Sequence, residues 1–345
     1  MDLLSINAQR NGKCNATTLR TNNSIGLDCL KIIAAFTVVL IHAPNPWQAS
    51  SQAFALSMLP SANALFALVA GMLMASLFSN TAEPGTWLRK RILRLVIPYL
   101  IWEAAYMLVN LLYDCLRTGT TGMYDANWRW WGSCLFFGSG SIHLWFVAML
   151  FYAQCTVVLA WWVCRGFLRS SAFKLISLLV GVVACSFYRM LVEASAQRMY
   201  VFILGYLLIG VALARLPYAS WLHYRIIARL LPVGLIFSLV IGAKVQMSAA
   251  QMQGVQFVTL LLWVTTACSL PANLPGRERI TQWASCSMGI YLVHVFFTRL
   301  LLFGAPYTGN VICRPLFPII SALIAFAFSL SLVMATKKWR FLWGN

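Results

Sequence analysis

The sequence predicts an all-α integral membrane protein with about ten transmembrane helices and both termini cytoplasmic. Three observations carry this expectation. Of 345 residues, 61% are hydrophobic and only 10% are charged, whereas soluble domains carry about a quarter charged residues. Ten apolar runs reach the roughly 20 residues that a span requires. The basic residues between those runs alternate in density from one connection to the next, as the positive-inside bias demands.

The expected spans are 25–43, 56–79, 95–116, 142–164, 172–192, 199–216, 226–243, 254–270, 283–303 and 315–335. The fifth is interrupted by Arg189, and the seventh opens with Arg229 and Pro232. Pro98, Pro232, Pro315 and Pro318 sit near span starts, where a missing N–H costs little. Residues 1–24 form a polar N-terminal tail and 336–345 a basic C-terminal one, so a single ten-span domain covers 25–335. The tail lacks the apolar core and small-residue cleavage site of a secretory signal.

With the N-terminus inside, the inner segments carry Arg10, Lys13 and Arg20; Arg89, Lys90, Arg91 and Arg94; Arg165, Arg169 and Lys174; Arg215, Arg225 and Arg229; Arg277 and Arg279; and Lys337, Lys338 and Arg340. The outer segments carry fewer: Arg117, Arg129, Arg189, Arg198, Lys244, Arg299 and Arg314. Every inner segment is basic, so an added or missing span would break the alternation. This also accounts for the net charge of +18 without invoking nucleic acid. The ten cysteines show no paired metal spacing, and those inside apolar runs behave as small hydrophobes. Neither a disulfide framework nor a metal site is expected.

The first span, Ile25 to His42, carries Asp28, Lys31 and His42 in an otherwise apolar run. Ionisable groups inside a span are costly and mark functional sites. Lys31 and His42 are eleven residues apart, so they share a helix face about 16 Å from one another. Lys31 joins Arg91 and Arg94 at the inner surface. Those arginines are three residues apart and share a face of the third span, and arginine's planar fork suits phosphate. Such a cluster suits a polyanionic cofactor, although the same charges also serve to orient the chain.

His42 and His143, from different spans, lie toward the outer side, with His294 somewhat deeper on the ninth span. Histidine can act as base, acid or acyl acceptor near neutral pH. Glu103 and Glu193 are further acids available to orient them, and Asp28 is placed to orient Lys31. The longest outer connection, 117–141, contains Trp128, Trp130 and Trp131, which fit an interfacial aromatic belt or a sugar-stacking surface.

These residues carry a resemblance. Leu27-Asp28-Cys29-Leu30-Lys31, ten residues and then His42 resemble the first-span signature of the membrane acyltransferase-3 family. Arg91-Ile-Leu-Arg94 with Ile97-Pro98-Tyr99 resembles its Arg-x-x-Arg element. Phe137-Gly138-Ser139 with His143-Leu144-Trp145-Phe146 resembles its Gly-rich loop and His-Leu-Trp segment. Ser287 with Ile290-Tyr291-Leu292-Val293-His294 resembles its late Ser…Tyr-Leu-x-His segment. Lys31 stands where arginine is frequent in that family. A short basic tail follows the last expected span here, so a stand-alone transferase is expected rather than one with the periplasmic esterase-like domain that some members carry.

The resemblance implies O-acyl transfer, commonly acetyl from cytoplasmic acetyl-CoA to a hydroxyl of a bacterial envelope glycan, such as O-antigen, capsule or an undecaprenyl-linked intermediate. It implies residence in the bacterial inner membrane among its lipids. The nucleotide of CoA would rest on Lys31, Arg91 and Arg94, with the pantetheine arm reaching toward His42. His42 would take the acyl group or activate the acceptor, with His143, Tyr291 and His294 completing the catalytic set. A different acyl group, such as succinyl, fits equally. The competing class is a transporter or flippase for a glycan or lipid intermediate, which also needs spans with buried charges; a non-catalytic assembly subunit is a third.

Overall fold

The computed structural model describes residues 25–45, 52, 59–79, 83–118, 128–138, 141, 143–164, 171–191, 195–214, 249–271, 274–304 and 316–343. Among them every regular element is helical. In chain order these are α1 (25–41), α2 (Ala62–Ser79), α3 (Pro84–Arg91), a π-helical stretch (Ile92–Val96), α4 (Ile97–Thr118), α5 (Trp128–Phe137) and α6 (Trp145–Val163). They continue with α7 (Ser171–Leu191), α8 (Ser195–Leu213), α9 (Ala249–Cys268), α10 (Arg277–Ser285), α11 (Ser287–Gly304), α12 (Phe317–Ala335) and α13 (Arg340–Trp343).

Helices occupy nine of the expected spans, and the seventh, 226–243, lies outside the described residues. By length and composition, four described helices can cross a membrane alone: Gly85–Tyr113, Trp145–Val163, Ala196–Leu213 and Phe317–Ala335. Arg277–Ser285 and Ser287–Leu302 make a fifth if taken as one span bent by 63°. The eight described cysteines are free thiols.

The first helix is the centre of the packing. Leu27, Leu30, Ala34 and Val38 join one buried apolar cluster. Ala35, Val39, Leu40 and Ala43 join a second, with Ile290 and Val293 of α11 and Ala322 and Ala325 of α12. A helix buried on opposite sides is apolar nearly all round, as this one is. Elsewhere, α2 and α8 cross at backbone contact. A Cβ at Gly71 would stand 2.1 Å from the Leu207 carbonyl oxygen, and one at Gly210 would stand 2.1 Å from that of Leu68. Small residues at a crossing let dispersion act between main chains, which matters where lipid removes the hydrophobic drive.

Two regions depart from the sequence reading. The connection 117–141, expected as a loop, contains the ten-residue helix α5. Its aromatic and glycine content conceals the helix, and tertiary bonds at its end hold it (below). The C-terminal tail returns to the bundle: the Trp102 indole N–H donates to the Leu342 carbonyl at 3.1 Å, and Trp343, 2% exposed, stacks 5.4 Å from Trp102.

Candidate active site

Three of the chain's four histidines converge from three helices. The ring centroids of His42 and His294 are 5.3 Å apart, those of His143 and His294 4.9 Å, and those of His42 and His143 6.0 Å. His294, expected somewhat deeper, is therefore adjacent to both other rings. Beside them lies Tyr106, whose ring meets His143 edge-on at 5.2 Å. Tyr106 is near the middle of α4, about 18 Å from Arg94 along the axis. Tyr106 lies in the last third of the candidate span Gly85–Tyr113.

His42 follows the last residue of α1 and is half-buried. A side chain that the sequence reading missed holds its turn. The Gln52 amide donates to the Leu40 carbonyl at 2.7 Å and the Ala43 carbonyl at 3.1 Å, and its oxygen accepts from Asn45 at 3.0 Å. Carbonyls at a helix C-terminus lack intrahelical donors, and Gln52 supplies two.

His143 lies on the turn entering α6, and its placement begins at α5. Gly138 ends that helix with φ +68°, and its N–H donates to the Cys134 carbonyl at 3.0 Å, as in a left-handed C-cap. The Tyr99 hydroxyl donates to the Cys134 and Leu135 carbonyls at 2.7 and 3.0 Å, and that of Tyr152 to Phe136 at 2.9 Å. Two tyrosines therefore close the end of α5 and press Gly138 against Leu144 and Trp145. This explains why Ile97-Pro98-Tyr99 and Phe137-Gly138-Ser139 occur together: one clasps the end of the other.

Hydrogen bonding assigns the imidazole tautomers. His143 Nε2 is 3.3 Å from the Leu292 carbonyl, which only accepts, so Nε2 carries the proton. Its Nδ1 then accepts from the Ser141 hydroxyl at 3.0 Å. Both nitrogens are engaged. His294 Nδ1 donates to the Tyr291 carbonyl at 2.8 Å, with that of Ile290 at 3.3 Å. Its Nε2 lone pair is buried and has no hydrogen-bond partner among the described residues. Burying such an acceptor costs about 1–3 kcal/mol. Tyr291 donates its hydroxyl to the His143 carbonyl, and Tyr106 donates to the Leu292 carbonyl at 2.9 Å. The α4, α6 and α11 backbones are thereby locked around the rings.

Tyr106 and Ser141 were not singled out from sequence. Tyr99, Glu103 and Tyr106 recur at spacings of four and three, the signature of one helix face, and all three are buried. That stripe was available as a signal. Ser141, like Gln52, offered none.

At the other level, Lys31 donates to Asp28 at 2.8 Å, with the lysine side chain 25% exposed. Arg91 lies over the Trp87 ring at 5.3 Å and is half-buried, whereas Arg94 is exposed. Arg91 ends α3, and Arg94 lies on the π-helical stretch that follows it. Glu193 lies outside the described residues. Among the described residues no group of three His, Cys, Asp or Glu has a metal-holding arrangement; the bonded nitrogens of His143 are in keeping with this.

A family model described as an acyltransferase domain, acyltransferase-3, matches residues 24–337. No curated protein and no solved structure matches the chain. The match runs from the helix that precedes His42 through α12, and so the chain belongs to the acyltransferase-3 family of membrane acyltransferases.

Proposed function

We propose that this protein moves an acetyl group from cytoplasmic acetyl-CoA to a hydroxyl of a cell-envelope glycan at the periplasmic side of the bacterial inner membrane, with ten spans and both termini cytoplasmic. The observation that carries the reading is the histidine layer. It combines a half-exposed imidazole, His42, with a buried one, His294, whose Nε2 lone pair is unbonded.

In this reading His42 meets the substrates. A nitrogen of His42 takes the proton of the acceptor hydroxyl as its oxygen attacks the thioester carbonyl. The C–S bond breaks, and the departing CoA sulfur takes that proton. The alternative is covalent: His42 accepts the acyl group, releases CoA thiol, and passes the acyl group to the hydroxyl. Both need the second His42 nitrogen held. At 5.3 Å between centroids, a small ring rotation brings a His42 N–H onto His294 Nε2; such bonds commonly tighten only with substrate bound. His143, engaged on both nitrogens, and Tyr291 act as positioning residues. Lys31, Arg91 and Arg94 hold the nucleotide, with Asp28 orienting Lys31 and Glu103 stiffening the tyrosine face of α4.

The test is glycan O-acetylation in cells carrying wild type, His42→Ala or Lys31→Ala at matched protein levels, read by NMR or mass spectrometry. Wild type should add acetyl groups, and His42→Ala should add none while remaining inserted. Normal acetylation by His42→Ala would sink the assigned site. If acyl content never changes but glycan export does, transport replaces this reading.

A further inference from the structure

Among the described residues, the buried polar atoms without a hydrogen-bond partner include Gln154 Oε1 on α6 and Trp87 Nε1 on α3, as well as the Ser177 hydroxyl on α7. Gln154 is 1% exposed and Trp87 7%. Polar atoms left unsatisfied in a folded interior call for an explanation, and a ligand is one. Helix α3 and the π-helical stretch both pack on α6. On α6, Gln154 belongs to the buried stripe Val147, Leu150, Gln154, Val157 and Trp161, which points into the bundle. His143 extends that stripe by one turn.

Gln154 is eleven residues from His143, about 16 Å along the axis. Lys31 is the same distance from His42, and the two histidines are adjacent. In the ten-span topology proposed above α1 and α6 run antiparallel, which puts Gln154 and Lys31 level with one another on the cytoplasmic side of the histidines. Trp87 lies one turn before Arg91, whose guanidinium covers its ring. An unpaired N–H beside a guanidinium suits a phosphate oxygen. An unpaired amide oxygen between that site and the histidines suits an N–H.

We propose that Gln154 Oε1 and Trp87 Nε1 are donor-binding atoms. Gln154 accepts an amide N–H of the pantetheine arm, and Trp87 donates to the phosphate-bearing end beside Arg91. This rests on the acyl-CoA reading above. The arm carries two secondary amides, and each loses water on entering the bundle, so it needs protein partners there. The histidines stand at the thioester end and Arg91 with Trp87 at the nucleotide end; Gln154, level with Lys31, meets the arm before it reaches the nucleotide.

The test measures binding to the purified full chain by calorimetry with three probes: acetyl-CoA, S-acetylpantetheine and adenosine 3′,5′-bisphosphate. The variant is Gln154→Met, which keeps length and removes the acceptor. Acetyl-CoA and S-acetylpantetheine should each weaken by about tenfold, while the bisphosphate binds as to wild type. The unliganded variant should melt no lower than wild type, because an unsatisfied buried atom has been removed. Trp87→Phe should weaken acetyl-CoA and the bisphosphate but leave S-acetylpantetheine unchanged. Unchanged acetyl-CoA binding by Gln154→Met overturns the proposal, as does equal loss of all three probes with a lowered melting temperature. If wild type binds neither acetyl-CoA nor the bisphosphate, the donor reading itself falls.

Discussion

Replacing Gly138 by alanine puts a methyl group where the backbone of Leu144 and Trp145 already lies. The added Cβ would stand 2.4 Å from the Trp145 nitrogen, 2.6 Å from the Leu144 carbonyl carbon and 2.7 Å from the Trp145 Cα. All three are main-chain atoms, so no side chain can swing aside. The φ of +68° adds its own cost, about 1–2 kcal/mol for a residue with a Cβ. Overpacking adds about 1–3 kcal/mol, for a total of roughly 2–5 kcal/mol. The chain has two responses. It can let the end of α5 go, against the bonds from Tyr99 and Tyr152, or it can push back the turn that carries His143. Either displaces His143 from His294. A misplacement of about 1 Å at a reacting centre costs on the order of a hundredfold in rate. The assay is acyl transfer per inserted molecule in a bilayer, with thermal unfolding followed in parallel. Gly138→Ala should lower both the rate and the melting temperature. A variant that retains the wild-type rate within about twofold would refute the idea that the α5 cap positions His143.

Three further outcomes follow from the same contacts. Tyr99→Phe leaves the Cys134 and Leu135 carbonyls without their side-chain donor; it should cost about 1–3 kcal/mol of stability, seen as a lower unfolding midpoint, and unchanged stability would show that the clasp contributes nothing. Gly71→Ala drives a methyl into the Leu207 carbonyl and should destabilise the α2–α8 crossing by about 1–3 kcal/mol with little effect on the KM of the surviving folded enzyme. Gln52→Leu removes both donors from the turn after α1, so kcat should fall by about tenfold through a loosened His42, while the donor KM stays near wild type. A rise in donor KM instead would place Gln52 on the donor path.

Much of this architecture was legible in the chain because a bilayer imposes simple rules. A span must satisfy its backbone internally and present apolar side chains, so apolar runs of the right length announce helices. The first span announced more, since Asp28, Lys31 and His42 are too costly in that setting to be incidental. The expected Asp28–Lys31 proximity is there as an ion pair. What went unread has identifiable causes. Helix α5 is short and flanked by glycine, and it depends on tyrosines from α4 and α6 that adjoin it only in three dimensions. The π-helical stretch that carries Arg94 is likewise not encoded in side-chain spacing. Gln52 is an unremarkable polar residue whose importance comes from the two carbonyls it meets.

By itself the sequence determined the helical class, the membrane setting and the identity of the chemical groups: Lys31 and the arginines on the one hand, and His42, His143, Tyr291 and His294 on the other. Periodicity reports which face of a helix is buried, and charge reports which end faces which side. Neither reports which buried faces meet. Only the tertiary structure decided that three histidines from α1, the α6 turn and α11 stand within 6.0 Å of one another, and which of their nitrogens is left unbonded. The physical reason is that a histidine's tautomer is set by the carbonyls and hydroxyls around it, and here Leu292 and Ser141 reach His143 from different segments of the chain.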